Sequence, residues 1–451
     1  MMANPYVVFF SVLGVAMSGA AWHRKASEWV LVFLPASRRL LRGEDFYLPK
    51  DLFVYPPFTA LVGLPFALLG DRLGSCAWYV VNYACLVAII GIAWRLSGGH
   101  RRPSIRREDA IPVAEHVVFF IGCAVAIRYL LNAISHTQTD LVIGAALMAG
   151  CLAATRRQFA RAAVWWGLGA AFKGPPLLFA AYLAWRRRWL AAAGVVAVFV
   201  GVNLLPNLVS HSPTGGLWLT RWTAHYAKPM GKDGVPGAWY NTPVNNQSLS
   251  GAVNRWLTST PGLGPNGAIM RPRAGAPGPA ALRTTTLLVD AAFAAITAWA
   301  MWRGRRSRAG GAAAAVAGDD ARTTVLECAT VLCLMLLLSP MSSRSHFGVL
   351  ILPAFLLARA AVYDRDRTAA AFLVVPLATT LLAVNIGINR GVEDVGLWFG
   401  TVMLSTISLM LGCVHLLVHP SNVGAPLNGG GDTRENADPA AVPASGDLSQ
   451  A

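Results

Sequence analysis

WLAAAGVVAVFVGVNLLPN, residues 189–207, runs for nineteen positions without a charged side chain, directly after Arg186-Arg187-Arg188. As an α-helix it would rise about 28 Å, close to the ~30 Å hydrocarbon core of a bilayer. Working outward, the same pattern recurs along the chain. Apolar blocks lie at 5–22, 76–96, 113–131, 140–155, 284–302, 323–339, 346–361, 368–386 and 395–418. Two further stretches are interrupted: 161–185 by Lys173-Gly174-Pro175-Pro176, and 53–70 by Pro56, Pro57 and Pro65. Backbone polar groups in lipid must be satisfied within the segment, so these blocks read as helices. The expected fold is an all-α polytopic transmembrane bundle of about 10–13 membrane segments. It would occupy residues 1–419, with residues 420–451, rich in Gly, Asn, Asp and Ala, as a disordered cytoplasmic tail.

Composition agrees. Of 451 residues, 55% are hydrophobic and 13% charged, with a mean hydropathy of +0.48. Soluble domains carry about 25% charged residues. The net charge of +16 sits largely in short loops between apolar blocks, a topology signal and not a nucleic-acid-binding face. The seven cysteines all fall inside apolar segments without CxxC or Cys/His metal spacing, so they read as core residues. The first block lacks the basic n-region of a cleaved signal peptide, which predicts an uncleaved first span.

Arginines set the orientation. Arg95, Arg101, Arg102, Arg106 and Arg107 follow one block; Arg156, Arg157 and Arg161 follow another; Arg186–Arg188, Arg303, Arg305, Arg306, Arg308, Arg365 and Arg367 mark three more loops. With these on the cytoplasmic side of the plasma membrane, segments 23–75, 132–139, 208–283, 340–345 and 387–394 lie outside. The alternation closes if 161–185 enters and leaves on the same side. Each of its halves is roughly 17 Å as helix, too short to cross alone. A hairpin with Lys173 at its tip fits; one irregular span would break the parity.

Polar residues collect in the outer turns. Glu28, Glu44, Asp45 and Asp51 stand in the first outer loop. A carboxylate there could act as general base on a hydroxyl, or simply solvate the loop. Lys173 lies among apolar residues, where it either snorkels to the interface or meets an anion such as phosphate. His136, Gln138 and Asp140 share one short turn that could hold sugar hydroxyls, although Asp140 suits a helix cap better. Arg344 and His346 share another turn and could hold a phosphate or anchor the interface. Asn241, Asn245, Asn246, Gln247 and Ser248, followed by Arg255 and Trp256, supply forked donors and acceptors suited to carbohydrate. No nucleotide-binding loop, HExxH or GxSxG motif is present, and no acidic cluster suggests a metal. No cofactor is expected.

In this order the outer turns resemble the glycosyltransferase 87 family of polyprenyl-phosphate-sugar-dependent membrane enzymes. The matching pieces are Arg39–Tyr47, Phe53–Pro57, Gln138-Thr139-Asp140-Leu141, Gly167–Pro176, Asn245–Leu249, and Leu338-Ser339-Pro340 with His346. The resemblance implies a GT-C fold and transfer of a sugar, a hexose such as mannose, on the outer membrane face. The donor would be a polyprenyl-phosphate sugar and the acceptor a glycolipid or glycan. Glu28 or Asp45 would deprotonate the acceptor. Lys173, Arg344 and His346 would hold the leaving phosphate, while Tyr55, Gln138, Asp140, Asn245, Asn246 and Gln247 would contact sugar or acceptor. One departure stands out. The family's aspartate, fourteen residues before the glycine matching Gly43, would fall on Trp29, with Glu28 beside it. Glu28 fills the role if the helix shifts by one residue; otherwise Asp45 takes it, or the chemistry is lost. A transporter or flippase of a lipid-linked solute and a non-catalytic assembly protein are the alternative readings.

Overall fold

The computed structural model describes residue 14 and residues 27–48, 53–99, 112–227, 243–264, 267–308, 316–383 and 390–419. The expected span 5–22, the tail 420–451, Arg101–Arg107, Asp51, Asn241 and part of the 208–283 loop lie outside the described residues. A π-helical turn, Trp29–Phe33, runs into α1 (Leu34–Arg42). Then come α2 (Phe58–Leu68), α3 (Asp71–Leu96), α4 (Val113–His136) and α5 (Asp140–Thr155). Helices α6 (Phe159–Phe172) and α7 (Leu178–Trp185) flank Lys173, and α8 (Trp189–Leu204) is the uncharged block after the three arginines. The second long loop contributes α9 (Trp218–Trp222), α10 (Leu249–Thr258) and a hairpin of β1 (Ser259–Gly264) with β2 (Gly267–Pro272), Ser259 opposite Pro272. The bundle closes with α11 (Pro279–Arg308), α12 (Val316–Leu338), α13 (Ile351–Tyr363), α14 (Arg367–Ala383), α15 (Arg390–Phe399) and α16 (Thr401–Val418).

Among the described residues, seven helices are long and apolar enough to cross a membrane, and four shorter apolar helices accompany them. The chain is therefore a multi-span helical membrane protein, with one small β-hairpin among the described residues, between α10 and α11. Leu326–Leu337 of α12 is continuously buried, so this helix forms the bundle's axis, wrapped by α5, α11, α13 and α16.

The interrupted segment 161–185 is a hairpin. Trp166 of α6 stacks on Phe179 of α7 with ring centroids 4.2 Å apart, although one continuous span would hold them far apart. At the base, the Arg188 guanidinium lies 4.7 Å from the Phe159 ring centroid. Both ends of the hairpin thus lie together, away from Lys173. Pro175 and Pro176 cannot donate to the carbonyls that end α6, which is why the chain turns there. Gly167 lets α8 approach α6: a Cβ there would meet Val198 Cβ at 2.6 Å.

Not all the arginines are free loop charges. Arg305 pairs with both oxygens of the fully buried Glu327 at 2.7 and 2.8 Å, and Tyr182 Oη donates to the same carboxylate at 2.9 Å. Arg186 also turns inward towards Glu327, at 3.8 Å. Charges that topology counting assigns to loops here tie α7, α11 and α12 together.

On the opposite end, the first outer loop is held by an aromatic core. Trp29 stacks on Trp78 at 3.9 Å and 7°, and Phe46 stacks on Trp218 at 4.3 Å. Tyr47 Oη donates to the Tyr55 carbonyl at 2.8 Å. Rings buried in this way give a polar loop a fixed shape.

Candidate active site

The polar turns of segments 27–57, 132–140, 173–178 and 339–346 surround a cavity of about 800 Å³. Its walls are mostly apolar, from Val32, Leu178, Met335 and Leu338, and its polar groups come from segments far apart in sequence.

Glu28 lines the cavity on one side. Its neighbour Trp29 is fully buried against Trp78, whose Nε1 donates to the Thr137 carbonyl at 3.0 Å. That contact brings the 136–138 turn against Glu28. Gln138 Nε2 donates to Glu28 Oε2, and Ser345 Oγ donates to Gln138 Oε1. A carboxylate only accepts, so the amide has one orientation, and Ser345 must donate to its oxygen. Glu28 Oε1 keeps room for a further partner, with His136 Nδ1 3.5 Å away. The π-helical turn that starts at Trp29 takes one more residue per turn than an α-helix. A one-residue offset between Trp29 and Glu28 is the shift such a turn produces.

Across the cavity, Lys173 ends α6 in an extended conformation, with φ −160° and ψ 120°. Its ammonium lies 3.2 Å from Asp140 Oδ1, touches His346 Nε2 and sits 5.4 Å from the Tyr55 ring centroid. His346 Nδ1 accepts the Ser343 N–H at 3.2 Å, which places the neutral ring's proton on Nε2. Two donors, Nζ and Nε2, therefore converge near a single Asp140 oxygen, with His346 Nε2 3.6 Å from it. An anion arriving there would give both a better acceptor. Arg344 also lines the cavity and pairs with Glu393, whose Oε1 is 2.5 Å from Arg128 Nη2 as well. Two guanidiniums on one carboxylate leave a net positive charge at the cavity's edge.

Tyr55 is buried, and burial pushes its phenol well above the usual tyrosine range, with the Asp140 and Glu28 carboxylates adding to the shift. The hydroxyl stays a neutral hydrogen-bonding group.

Several expectations change. Asp140 does not cap α5: the N-cap is Thr139, without a side-chain cap bond, and the Asp140 carboxylate reaches Lys173 instead. Lys173 does not snorkel outward but is clasped between Asp140, His346 and Tyr55. Asp45 faces away from the cavity, accepting from Arg221 Nη2 at 2.6 Å and from the Tyr47 N–H at 2.9 Å. It pins the first outer loop to α9. Glu44 stays on the surface beside Arg42, whose hydrogen bond holds its carboxyl below the usual range. Asn246 is spent on structure, donating to the Pro340 carbonyl at 3.0 Å and accepting from the Ser342 N–H at 3.1 Å. Gln247 is fully buried and donates to the Val244 and Leu397 carbonyls, both at 2.8 Å. The buried Arg255 donates to the Trp398 carbonyl at 3.1 Å. Among the described residues of the amide patch, Asn245 lines the cavity.

Arg128, Asn132, Trp222 and Glu393 escaped the sequence reading. Arg128 sits within an apolar block; an arginine there is costly unless paired, a signal that could have pointed to an acidic partner.

Glycosyltransferase family 87 matches residues 53–340, more than half of the chain. The matched stretch contains Tyr55, Gln138, Asp140, Lys173 and Asn245, and leaves Glu28, Arg344 and His346 outside. Two curated relatives are polyprenol-phosphate-mannose-dependent alpha-(1-2)-phosphatidylinositol pentamannoside mannosyltransferases. That of Mycolicibacterium smegmatis is 27% identical over 230 residues, covering 49% of this chain and 47% of the relative. That of Mycobacterium tuberculosis is 29% identical over 229 residues, covering 49% and 46%. The chain thus spans about half the length of the curated relatives it matches. Among solved structures, ArnT from Cupriavidus metallidurans bound to undecaprenyl phosphate is similar with a TM-score of 0.36 and 14% identity, over 92% of this chain and 77% of that one. That likeness is too slight to bear on fold or function.

Proposed function

This chain belongs to glycosyltransferase family 87, and from that premise we propose that it moves a hexose such as mannose from a polyprenyl-phosphate donor to a glycolipid or glycan acceptor. The observation that carries the reading is one cavity lined by the Glu28 carboxylate and, apart from it, by Lys173, Arg344 and the neutral His346 ring. The relatives named above use polyprenol-phosphate-mannose, which supports the same donor class here.

In this mechanism Glu28 takes the proton of an acceptor hydroxyl as its oxygen attacks the anomeric carbon. The bond from that carbon to the phosphate oxygen breaks, its electron pair goes to the phosphate, and the configuration inverts. The leaving phosphate gains one negative charge. Cationic donors aimed at it therefore act more on the transition state than on the ground state. Lys173 and Arg344 are assigned this role, with the neutral His346 ring as a further hydrogen-bond donor beside Lys173. The apolar walls suit the first isoprene units, while Tyr55 and Asn245 are assigned to the sugar or the acceptor. Gln138 and Asp140 hold the base and the lysine, respectively. Asp45, Asn246 and Gln247 have no direct part.

The test is transfer of labelled sugar from polyprenyl-phosphate-mannose to lipids or glycans in membranes containing the protein. Unchanged products, compared with membranes lacking it, would refute the reading. Gln138 gives a finer check. Gln138→Leu should lower kcat about tenfold with the donor KM nearly constant, because a freed carboxylate samples unproductive orientations. Gln138→Glu should move the acid limb of the pH–rate profile to higher pH, since a second carboxylate beside Glu28 favours the protonated base. A donor KM that rises instead would mean that Gln138 binds sugar.

We assign the cavity to the outer face of the plasma membrane and residues 420–451 to the cytoplasm. A cysteine at the exposed Thr214 should then label with an impermeant thiol reagent on intact cells, and one at the exposed Gln158 only after permeabilisation. The reverse pattern would invert the orientation.

A further inference from the structure

At the end of the hairpin away from Lys173, roughly 20 Å along α6, lies a groove of about 590 Å³ between α6 and the start of α8. Phe159, Ala163, Val164, Leu190 and Val198 make its apolar floor and walls, and Arg187 and Arg188 stand at its mouth. Among the described residues that line it, none is acidic. The three consecutive arginines have different fates. Arg186 turns into the bundle towards Glu327, whereas Arg187 and Arg188 are exposed and have no ion pair among the described residues. Arg188 is steadied by the Phe159 ring. Leu190 is 92% exposed, Trp189 65% and Val164 46%, so the apolar surface continues from the arginines down the groove. Plain interfacial anchoring would put charges and rings at the membrane surface without a concave apolar track beneath them.

We propose that this groove binds one anionic phospholipid from the leaflet opposite the active-site cavity. Its phosphate sits between Arg187 and Arg188, and an acyl chain lies along Val164 and Val198. Charge complementarity selects an anionic head group, and the apolar track selects a lipid over a free anion. The site is separate from the donor cavity and does not depend on the proposed transfer. The lipid braces the base of the hairpin whose tip carries Lys173.

The experiment is native mass spectrometry and thermal unfolding of the delipidated full chain, titrated with phosphatidylglycerol or phosphatidylcholine. One phosphatidylglycerol should be retained preferentially and should raise the unfolding temperature. The Arg187→Gln/Arg188→Gln double variant should weaken retention about thirtyfold, at roughly fivefold for each arginine near the head group. Val164→Trp, which fills the groove and keeps both arginines, should weaken it comparably. Equal retention of phosphatidylcholine would overturn the proposal. So would undiminished binding in the double variant. Indifference to Val164→Trp would reduce the effect to diffuse surface attraction, and displacement by inorganic phosphate alone would make it a small-anion site; either result refutes the lipid groove.

Discussion

Glu28→Gln is expected to lower sugar transfer about a thousandfold, within the range that general-base catalysis contributes, while donor binding changes little. The amide keeps the size of the carboxylate, so the Trp29–Trp78 stack and the shape of the cavity remain. What disappears is the capacity to take a proton. The contrast is Asp45→Asn. Its carboxylate is occupied by Arg221 and the Tyr47 N–H, so transfer should fall no more than a few-fold and unfolding temperature should fall with it. Steady-state kinetics on both variants in proteoliposomes decides the matter. If Asp45→Asn is the silent enzyme and Glu28→Gln is active, the base has been assigned to the wrong carboxylate.

Lys173→Met should cost about a hundredfold in kcat, comparable to losing one charge-stabilising donor at a reacting centre. It should also raise the donor KM more than the acceptor KM. The side chain keeps nearly the same length, so the packing on Tyr55 survives and the loss reports the charge. Removing Lys173 leaves Asp140 buried beside His346 without its main partner, and some instability is expected. Lys173→Met with Asp140→Asn separates the two effects: neutralising the carboxylate should restore the unfolding temperature but not the rate. A rate that recovers with stability would make Lys173 a structural ion-pair partner, with no role in holding phosphate.

Much of the fold could be read from the chain, because lipid makes one demand of every spanning segment. Long apolar blocks, bracketed by arginines, left little freedom of class. The hairpin followed from the length of its halves and the Lys173-Gly174-Pro175-Pro176 break. The site was legible only as a set of turns on one face. Lys173, Arg344, His346, Tyr55, Gln138, Asn245 and Glu28 do converge on the cavity or its edge. Asp45, Asn246 and Gln247 have the same chemistry and do not. Nothing in residue type separates an amide that faces a cavity from one that fastens two loops; that depends on the path of the backbone. Glu393 lies in the first turn of α15, remote in sequence from Arg344 and Arg128, and tertiary packing alone brings the three together.

The turn at Trp29–Phe33 bears on how this chain is compared with others. By the register of the resemblance in the first outer loop, the expected acid falls on Trp29, beside Glu28. A wider coil spends one extra residue over the same distance, so the side chain that faces the cavity and its column label come apart. Residues in the first outer loop should therefore be matched by the direction in which they point, and a chain that lacks the acid in its usual column can carry it one position away.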